Sequence, residues 1–313
     1  MKSFLSVVVL LMCVSSAWAI SLPEHALRLQ SLADSLETDG SREGFQQKAD
    51  ALAQYFFEHI DNQVSLHAMK SWSDQEILVV YDGLLALEFW SSKVYATDVA
   101  LGKYALVFEE LEKRKIATNK QAHYLFTALL SNGKWDEARE ILRRWPSLSS
   151  EWIPQIVGAV DLSDAALGYY VVSADLKTMS LKQFDRNRGP RIIISGFCHF
   201  ADDFIRKLSS QAEFSQIMAQ YGIVINPNDL SEFGFKKMDS LRKEFPAFEF
   251  HPVISSGAWF TGGVNTLVSP SVVFLLNGQE AYRSIFGANQ DSIVEFCKGL
   301  KSIGLSAPHA CER

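Results

Sequence analysis

Cys198 is the residue of this sequence that is best placed to do chemistry. It follows an apolar, strand-like run at residues 192–194 and precedes a pattern with apolar residues at helical spacing. A cysteine at the start of a helix lies among free backbone N–H groups and at the positive end of the helix dipole, which favour a thiolate over a thiol. The sequence therefore predicts a nucleophilic thiol at Cys198, and a protonated His199 beside it would tune the thiol further towards the thiolate.

The residues around Cys198 are predicted to alternate between strands and helices. Strands are predicted at residues 192–194, 222–226, 248–254, 271–276 and 280–285, and helices at residues 202–221, 229–245 and 290–303. A β-hairpin at residues 169–173 and 178–184 is predicted to precede them. Alternation of this kind indicates a βαβ unit with a parallel pair of strands, and Asn277-Gly278 is a signal for a closing hairpin.

Residues 168–304 resemble the thioredoxin-like superfamily, most of all its exported thiol-disulfide oxidoreductases. The resemblance is carried by the order of the elements and by three local features, which are Phe197-Cys198 at the strand–helix junction, Pro270 just before the run SVVFLL, and Asn277-Gly278 with Gly287 in the last hairpin. It implies an α/β sandwich with a central mixed sheet and a cis proline at Pro270 facing Cys198. A cis X-Pro bond exposes the preceding backbone, here that of Ser269, to an extended peptide. Phe197, Ser269 and Pro270 are therefore predicted binding residues.

The sequence departs from this family where the second cysteine is expected. The motif is Cys198-His199-Phe200-Ala201, so an alanine stands in the place of the thiol that resolves a mixed disulfide. Three functions stay open. The favoured one is binding of a protein or peptide partner; the second is monothiol exchange, resolved by an external thiol; the third, peroxide reduction, is disfavoured because the pattern P-x-x-x-T-x-x-C is not met. Cys198 as an inert, buried small residue is a further alternative.

Trp259 and Phe260 lie in a glycine-rich loop shortly before Pro270. They are predicted to form either an apolar edge that contacts substrate near Cys198 or ordinary anchors of the loop. No cofactor is expected. No metal is expected either, because Cys198, His199 and His251 lack the second cysteine that the copper-carrying relatives of this fold use.

Residues 20–160 are predicted to form a helical domain ahead of the thioredoxin-like one, which makes the whole chain α + α/β. The segment at residues 119–144 resembles one tetratricopeptide repeat unit, with a turn at Asn132-Gly133 and Pro146 closing it. A generic helical bundle is equally compatible with the pattern. A repeat array would offer a concave surface to a peptide partner.

Residues 1–19 have the form of a secretory signal peptide. Lys2 supplies the positive start, a short apolar run follows, and Ala17-Trp18-Ala19 matches the A-x-A cleavage pattern. The sequence therefore predicts export to a periplasm or beyond, into an oxidising compartment.

The remaining cysteines are predicted to include one disulfide. Three cysteines follow the signal, and the favoured pairing joins Cys297 to Cys311, tying the tail at residues 305–313 to the preceding helix. This pairing leaves Cys198 free, although spacing alone does not determine connectivity.

Composition limits the partners of the chain. With 313 residues, 48% of them hydrophobic, the chain is long enough for two domains with cores of ordinary size. Its net charge of −6 offers no basic surface for nucleic acid. No stretch after the signal is long and apolar enough to predict a membrane span.

Overall fold

The computed structural model describes most of the chain. The described residues are 20–95, 98–148, 151–158, 167–196, 198–226, 232–253, 255–286 and 291–312. The predicted signal peptide, Phe197 and Gly287 lie outside them. Within these residues the N-terminal half is helical and the C-terminal half combines helices with mixed sheets, which confirms the predicted combination of an α part with a part containing both helix and sheet.

The N-terminal half is arranged around one long helix. Its helices are α1 (Leu22–Ser35), α2 (Arg42–His59), α3 (Leu66–Met69), α4 (Asp74–Val94), α5 (Leu101–Lys113), α6 (Asn119–Ser131) and α7 (Trp135–Arg144). Helix α4 packs against α1, α2, α5 and α6. It begins at a capping box, in which Ser73 and Glu76 each accept a hydrogen bond from the backbone N–H of the other. The pair α6–α7 turns at Gly133, whose φ of 70° suits glycine.

The C-terminal half contains two sheets and the helices that cover them. Its elements are β1 (Gln155–Ile156), β2 (Gly168–Val172), β3 (Thr178–Gln183), β4 (Pro190–Ser195), α8 (His199–Ser209), α9 (Ala212–Tyr221), β5 (Gly222–Asn226), α10 (Glu232–Glu244), β6 (Phe250–Pro252), α11 (Ser256–Thr261), β7 (Ser271–Leu276), β8 (Gln279–Ile285) and α12 (Ser292–Ser302). The larger sheet has the order β6-β5-β4-β7-β8, and the smaller has the order β1-β3-β2.

Two sequence predictions for this half are corrected, and one strand was missed. The helix predicted over residues 202–221 is broken into α8 and α9 at Gln211, whose backbone is extended. The break lets α9 pack on β4 and β5 while α8 packs against α12. The loop predicted before Pro270 contains α11, which is capped by Ser255. Strand β1, which pairs with β3, was not predicted because two residues carry no periodic pattern.

The central strand β4 determines where the site lies. It runs parallel to β5 on one side and antiparallel to β7 on the other. Ser195, its last residue, pairs with Ile225 and with Ser271, the first residue of β7. The chain that leaves β4 towards Cys198 therefore meets the chain that enters β7 from Pro270.

Both faces of the central strand β4 are buried over residues 192–195, and its alternate residues point to opposite sides of the sheet. Ile192 and Ile194 belong to the larger core, which contains Phe296 of α12. Ile193 points the other way, into a second core with Trp259 of α11. Helices thus cover the sheet from both sides and hold the ends of β4 and β7 in fixed positions.

Helix α11 also joins the two halves of the chain. The Phe260 ring packs with Phe45, Ala49 and Val94 of the helical half. Gly257 permits this approach, since a Cβ atom there would lie 1.6 Å from the backbone oxygen of Tyr95. The N-terminal helices and the second core are therefore in direct contact.

A buried hydrogen bond makes a second link between the halves. The indole N–H of Trp135 donates to the hydroxyl of Tyr170 at 2.8 Å, and both side chains are buried. We expect Tyr170→Phe to lower the free energy of unfolding by about 1–3 kcal/mol, because the Trp135 N–H loses its acceptor where water does not reach it. Urea unfolding measures the effect. Tyr169→Phe, at the neighbouring half-buried position, is the control; equal stabilities of the two variants would contradict the prediction.

Candidate functional site

Cys198 occupies the N-cap position of α8. Its backbone is extended, with φ −106° and ψ 171°, and its carbonyl accepts the first helical hydrogen bond from the N–H of Asp202 at 3.0 Å. The thiol does not cap the helix. It is half-buried, and among the described residues it is the free cysteine. The sulfur is thus directed away from the helix end and towards the loop that precedes β7.

The partner of the thiol in that loop is Ser269. The Ser269–Pro270 peptide bond is cis. The sulfur of Cys198 lies 3.1 Å from the hydroxyl oxygen of Ser269 and 3.7 Å from its carbonyl oxygen. The structure therefore brings Cys198, Ser269 and Pro270 together across 71 residues of sequence.

Gly196 allows this close approach. Its φ is +155°, and a Cβ atom there would lie 2.4 Å from the Ser269 hydroxyl oxygen and 3.3 Å from the Cα atom of Pro270. A side chain at this position would push the end of β4 away from the cis proline. The sequence did not single out Gly196 as a site residue, although a glycine directly after a buried strand is a signal of close backbone approach.

Ala201, which stands three residues after Cys198, is fully buried in the first turn of α8. Its methyl group is close to Gly196, because a Cβ atom added to Gly196 would lie 3.1 Å from it. Within the described residues Cys198 has no intramolecular thiol to react with.

His199 and Phe200 lie on the exposed side of the helix start. Their rings are in contact, with centroids 3.9 Å apart, and Phe200 is 48% exposed. Phe200 is therefore an apolar surface two residues from the thiol. The sequence did not single it out, because exposure of one aromatic residue depends on how its helix packs.

Trp259 and Phe260 do not form an exposed edge, which corrects one of the two alternatives predicted for them. Both side chains are fully buried. The Trp259 N–H donates to the carbonyl oxygen of Gly168 at 2.9 Å, and Phe260 packs against the helical half. Because α11 replaces the predicted loop, its consecutive large side chains point into two cores and serve as anchors.

His251 lies at the edge of the larger sheet and not beside Cys198. It lies on β6, two strands from β4, and it is buried. Its Nδ1 atom is 3.1 Å from the Tyr170 carbonyl oxygen, and its Nε2 atom is 3.3 Å from the Glu249 carboxylate. The described residues contain no cluster of three or more His, Cys, Asp or Glu side chains arranged to hold a metal ion.

Cys297 and Cys311 form a disulfide, the pairing that the sequence favoured. Their Cα atoms are 5.6 Å apart, and Cys297 is buried on α12. The backbone N–H of His309 donates to the Glu213 carboxylate at 3.0 Å, so the tail is also attached to α9. These contacts leave Cys198 as the thiol available for chemistry among the described residues.

Comparison with known proteins adds no assignment. No family model matches the chain, and neither does any curated protein or solved structure. None of the described helices combines the length and apolarity that crossing a membrane requires. The function is therefore argued from the geometry around Cys198.

Proposed function

We propose that this protein is an exported, thioredoxin-like protein that binds an extended segment of a peptide or protein partner beside Cys198. One observation carries the proposal: the sulfur of a half-buried, free cysteine at a helix start lies 3.1 Å from the residue that precedes a cis proline. The mixed sheet centred on β4 and the hairpin before it support the thioredoxin-like arrangement. The disulfide and the signal-like residues 1–19 support export.

The bound segment pairs with the backbone of Ser269. A chain laid along this residue exchanges main-chain hydrogen bonds with it, as in other cases of strand addition. Phe200, exposed two residues after the thiol, offers an apolar contact at the same end of the sheet. Affinity then comes from backbone pairing, which tolerates many sequences, and preference comes from the few side chains near the thiol.

Monothiol exchange is the second candidate function, and the free thiol of Cys198 favours it. The Cys198 thiolate attacks one sulfur of a partner disulfide. A new S–S bond forms to that sulfur, the partner's S–S bond breaks, and the other sulfur leaves as a thiolate. Because Ala201 is not a thiol, an external thiol must release the product, so the mixed disulfide persists until one arrives.

One experiment tests both candidates with a defined probe. The peptide Ala-Val-Cys-Val-Ala, with its cysteine activated as the 2-nitro-5-thiobenzoate mixed disulfide, is added to residues 20–313. We expect release of one equivalent of nitrothiobenzoate and a stable protein–peptide adduct, neither of which Cys198→Ser gives. A peptide with proline after the cysteine is expected to react about fivefold more slowly, because it lacks one N–H for backbone pairing.

The outcomes separate the two functions. Equal rates for the two peptides would contradict binding through the backbone of Ser269. A thiol that reacts in urea but not in the folded protein would contradict exchange. Cys198→Ser with unchanged far-ultraviolet circular dichroism shows that the loss of the adduct is not a loss of fold.

A further inference from the structure

The loop that leads from α11 into Ser269 is attached to the helical half of the chain. Its last two residues before Ser269 are Leu267 and Val268, which are half-buried. Both pack against the apolar cluster in which Phe260 meets Phe45 of α2. The backbone to which the partner segment is assigned is therefore carried by a loop that rests on the N-terminal helices.

Asn265 makes a polar contact between this loop and the helical half. It is only 1% exposed. Its side-chain amide nitrogen donates to the carbonyl oxygen of Gly40, in the turn between α1 and α2, at 3.4 Å. Its side-chain oxygen accepts a hydrogen bond from the backbone N–H of Leu267 at 3.1 Å. One buried amide group thus fixes the shape of the loop and joins it to a turn 225 residues earlier in the sequence.

Ser271 ties Asn265 to the far side of Pro270. The Ser271 hydroxyl group is fully buried and donates to the backbone carbonyl oxygen of Asn265 at 2.9 Å. Ser271 is also the first residue of β7, and it pairs with Ser195 at the end of β4. These hydrogen bonds lie on both sides of Ser269 in the sequence, and they connect it to the central strand as well as to the helical half.

We propose that Asn265 is a positioning residue, which holds the backbone of Ser269 in place for the partner segment by fixing the loop to the turn at Gly40. The inference rests on the proposed function, because it concerns the backbone with which the segment pairs. Pairing needs a donor and an acceptor at set positions, and a loop that is already held there loses less free energy to ordering when the segment binds. Asn265 acts through Ser269, whose hydroxyl contacts the sulfur of Cys198.

Two reagents added to residues 20–313 separate positioning from thiol reactivity. The activated peptide Ala-Val-Cys-Val-Ala pairs with the backbone, whereas methyl methanethiosulfonate gives its methylthio group to the thiolate, with methanesulfinate leaving, and needs no pairing. We expect Asn265→Ala to form the peptide adduct about tenfold more slowly, and to react with methyl methanethiosulfonate within about twofold of the wild-type rate. Ser271→Ala, which removes the hydroxyl group on the other side of Pro270, is expected to slow the peptide reaction about threefold.

Tyr170→Phe is the matched control, because it removes a different buried hydrogen bond between the halves, the one donated by Trp135. It is expected to lower stability and to leave both rates unchanged. Circular dichroism establishes that each variant is folded.

The outcomes distinguish this inference from the proposed function. The inference is wrong if folded Asn265→Ala forms the peptide adduct at the wild-type rate, if its two rates fall together, or if Tyr170→Phe slows the peptide reaction equally. If Asn265→Ala does not fold, an unchanged peptide rate in Ser271→Ala overturns the inference. In each of these cases the proposed function stands as long as the wild-type protein reacts more slowly with the peptide that has proline after the cysteine. A wild-type protein that reacts equally with both peptides overturns the proposed function and this inference with it.

Discussion

Raising the pH from about 4.5 to about 8 is expected to lower the free energy of unfolding by about 4 kcal/mol through Glu88 alone. Burial in the helical half raises the pKa of this carboxyl group from 4.5 to about 8, against a smaller opposing effect of the hydrogen bond from Asn132. The unfolded chain restores the ordinary pKa. Folding therefore binds a proton at Glu88 throughout this range.

The direction of the effect follows from proton linkage. Below pH 4.5 the carboxyl group is protonated in both states, so the folded state is not penalised. Between pH 4.5 and 8 the unfolded state gives up its proton while the folded state keeps it, and stability falls by about 1.4 kcal/mol per pH unit. Above pH 8 the folded protein must hold a buried carboxylate, and the full loss is present.

Glu88→Gln isolates this contribution from the other titrating groups. Urea unfolding of both proteins at pH 5, 6, 7 and 8 gives the difference between their stabilities. We expect this difference to shift in favour of the glutamine variant as the pH rises, because glutamine does not titrate. Glu137→Gln, at an exposed position on α7, is the matched control and is expected to show no such shift. A constant difference for Glu88→Gln would contradict the burial argument.

Opening the disulfide is expected to lower the free energy of unfolding by about 3 kcal/mol. Cys297 and Cys311 are separated by 14 residues, so the bond closes a short loop. Without the bond the unfolded chain gains the conformations that this loop excludes. The tail also loses its covalent attachment to α12, although the contact between His309 and Glu213 can still form.

Reduction and mutation test this disulfide together. Wild-type protein in a phosphine reductant is expected to unfold at the same urea concentration as Cys311→Ala, and the reductant is expected to leave that variant unchanged. Cys198→Ser provides the control for the third cysteine, since its stability should respond to the reductant as that of the wild-type protein does. A wild-type protein that is insensitive to reductant would contradict the prediction.

The ends of the elements that are defined by local capping and turn residues were predicted to within a residue or two. The pair α6–α7 turns at Asn132-Gly133 as predicted, and α6 begins at a capping box formed by Thr118 and Gln121. Asn277 and Gly278 both have positive φ, as a tight two-residue hairpin between β7 and β8 requires. Such signals act over a few residues, so they are complete in the sequence.

Elements that depend on packing were predicted less well. The break at Gln211 has no strong local signal, and it exists because α8 and α9 pack on different neighbours. Helix α11 has six residues, too few for a periodic pattern to identify. The prediction that Trp259 and Phe260 could form an exposed edge was wrong for the same reason, since this short helix buries both side chains.

The sequence by itself determined the candidate nucleophile and the missing second thiol. A cysteine between an apolar run and a helix start, and an alanine three residues later, are both visible without coordinates. The favoured pairing of Cys297 with Cys311 also came from the sequence. These features depend on residue type and on short spacing.

Only the tertiary structure decided what surrounds these residues. The contact between Cys198 and Ser269 exists because β4 and β7 are neighbours in the sheet, and Gly196 lets their ends approach. The buried Lys48 and Glu88 look like ordinary helix-surface residues in the sequence. Their burial comes from the packing of α4 against α1, α2 and α6, and burial is what perturbs the charge of Glu88.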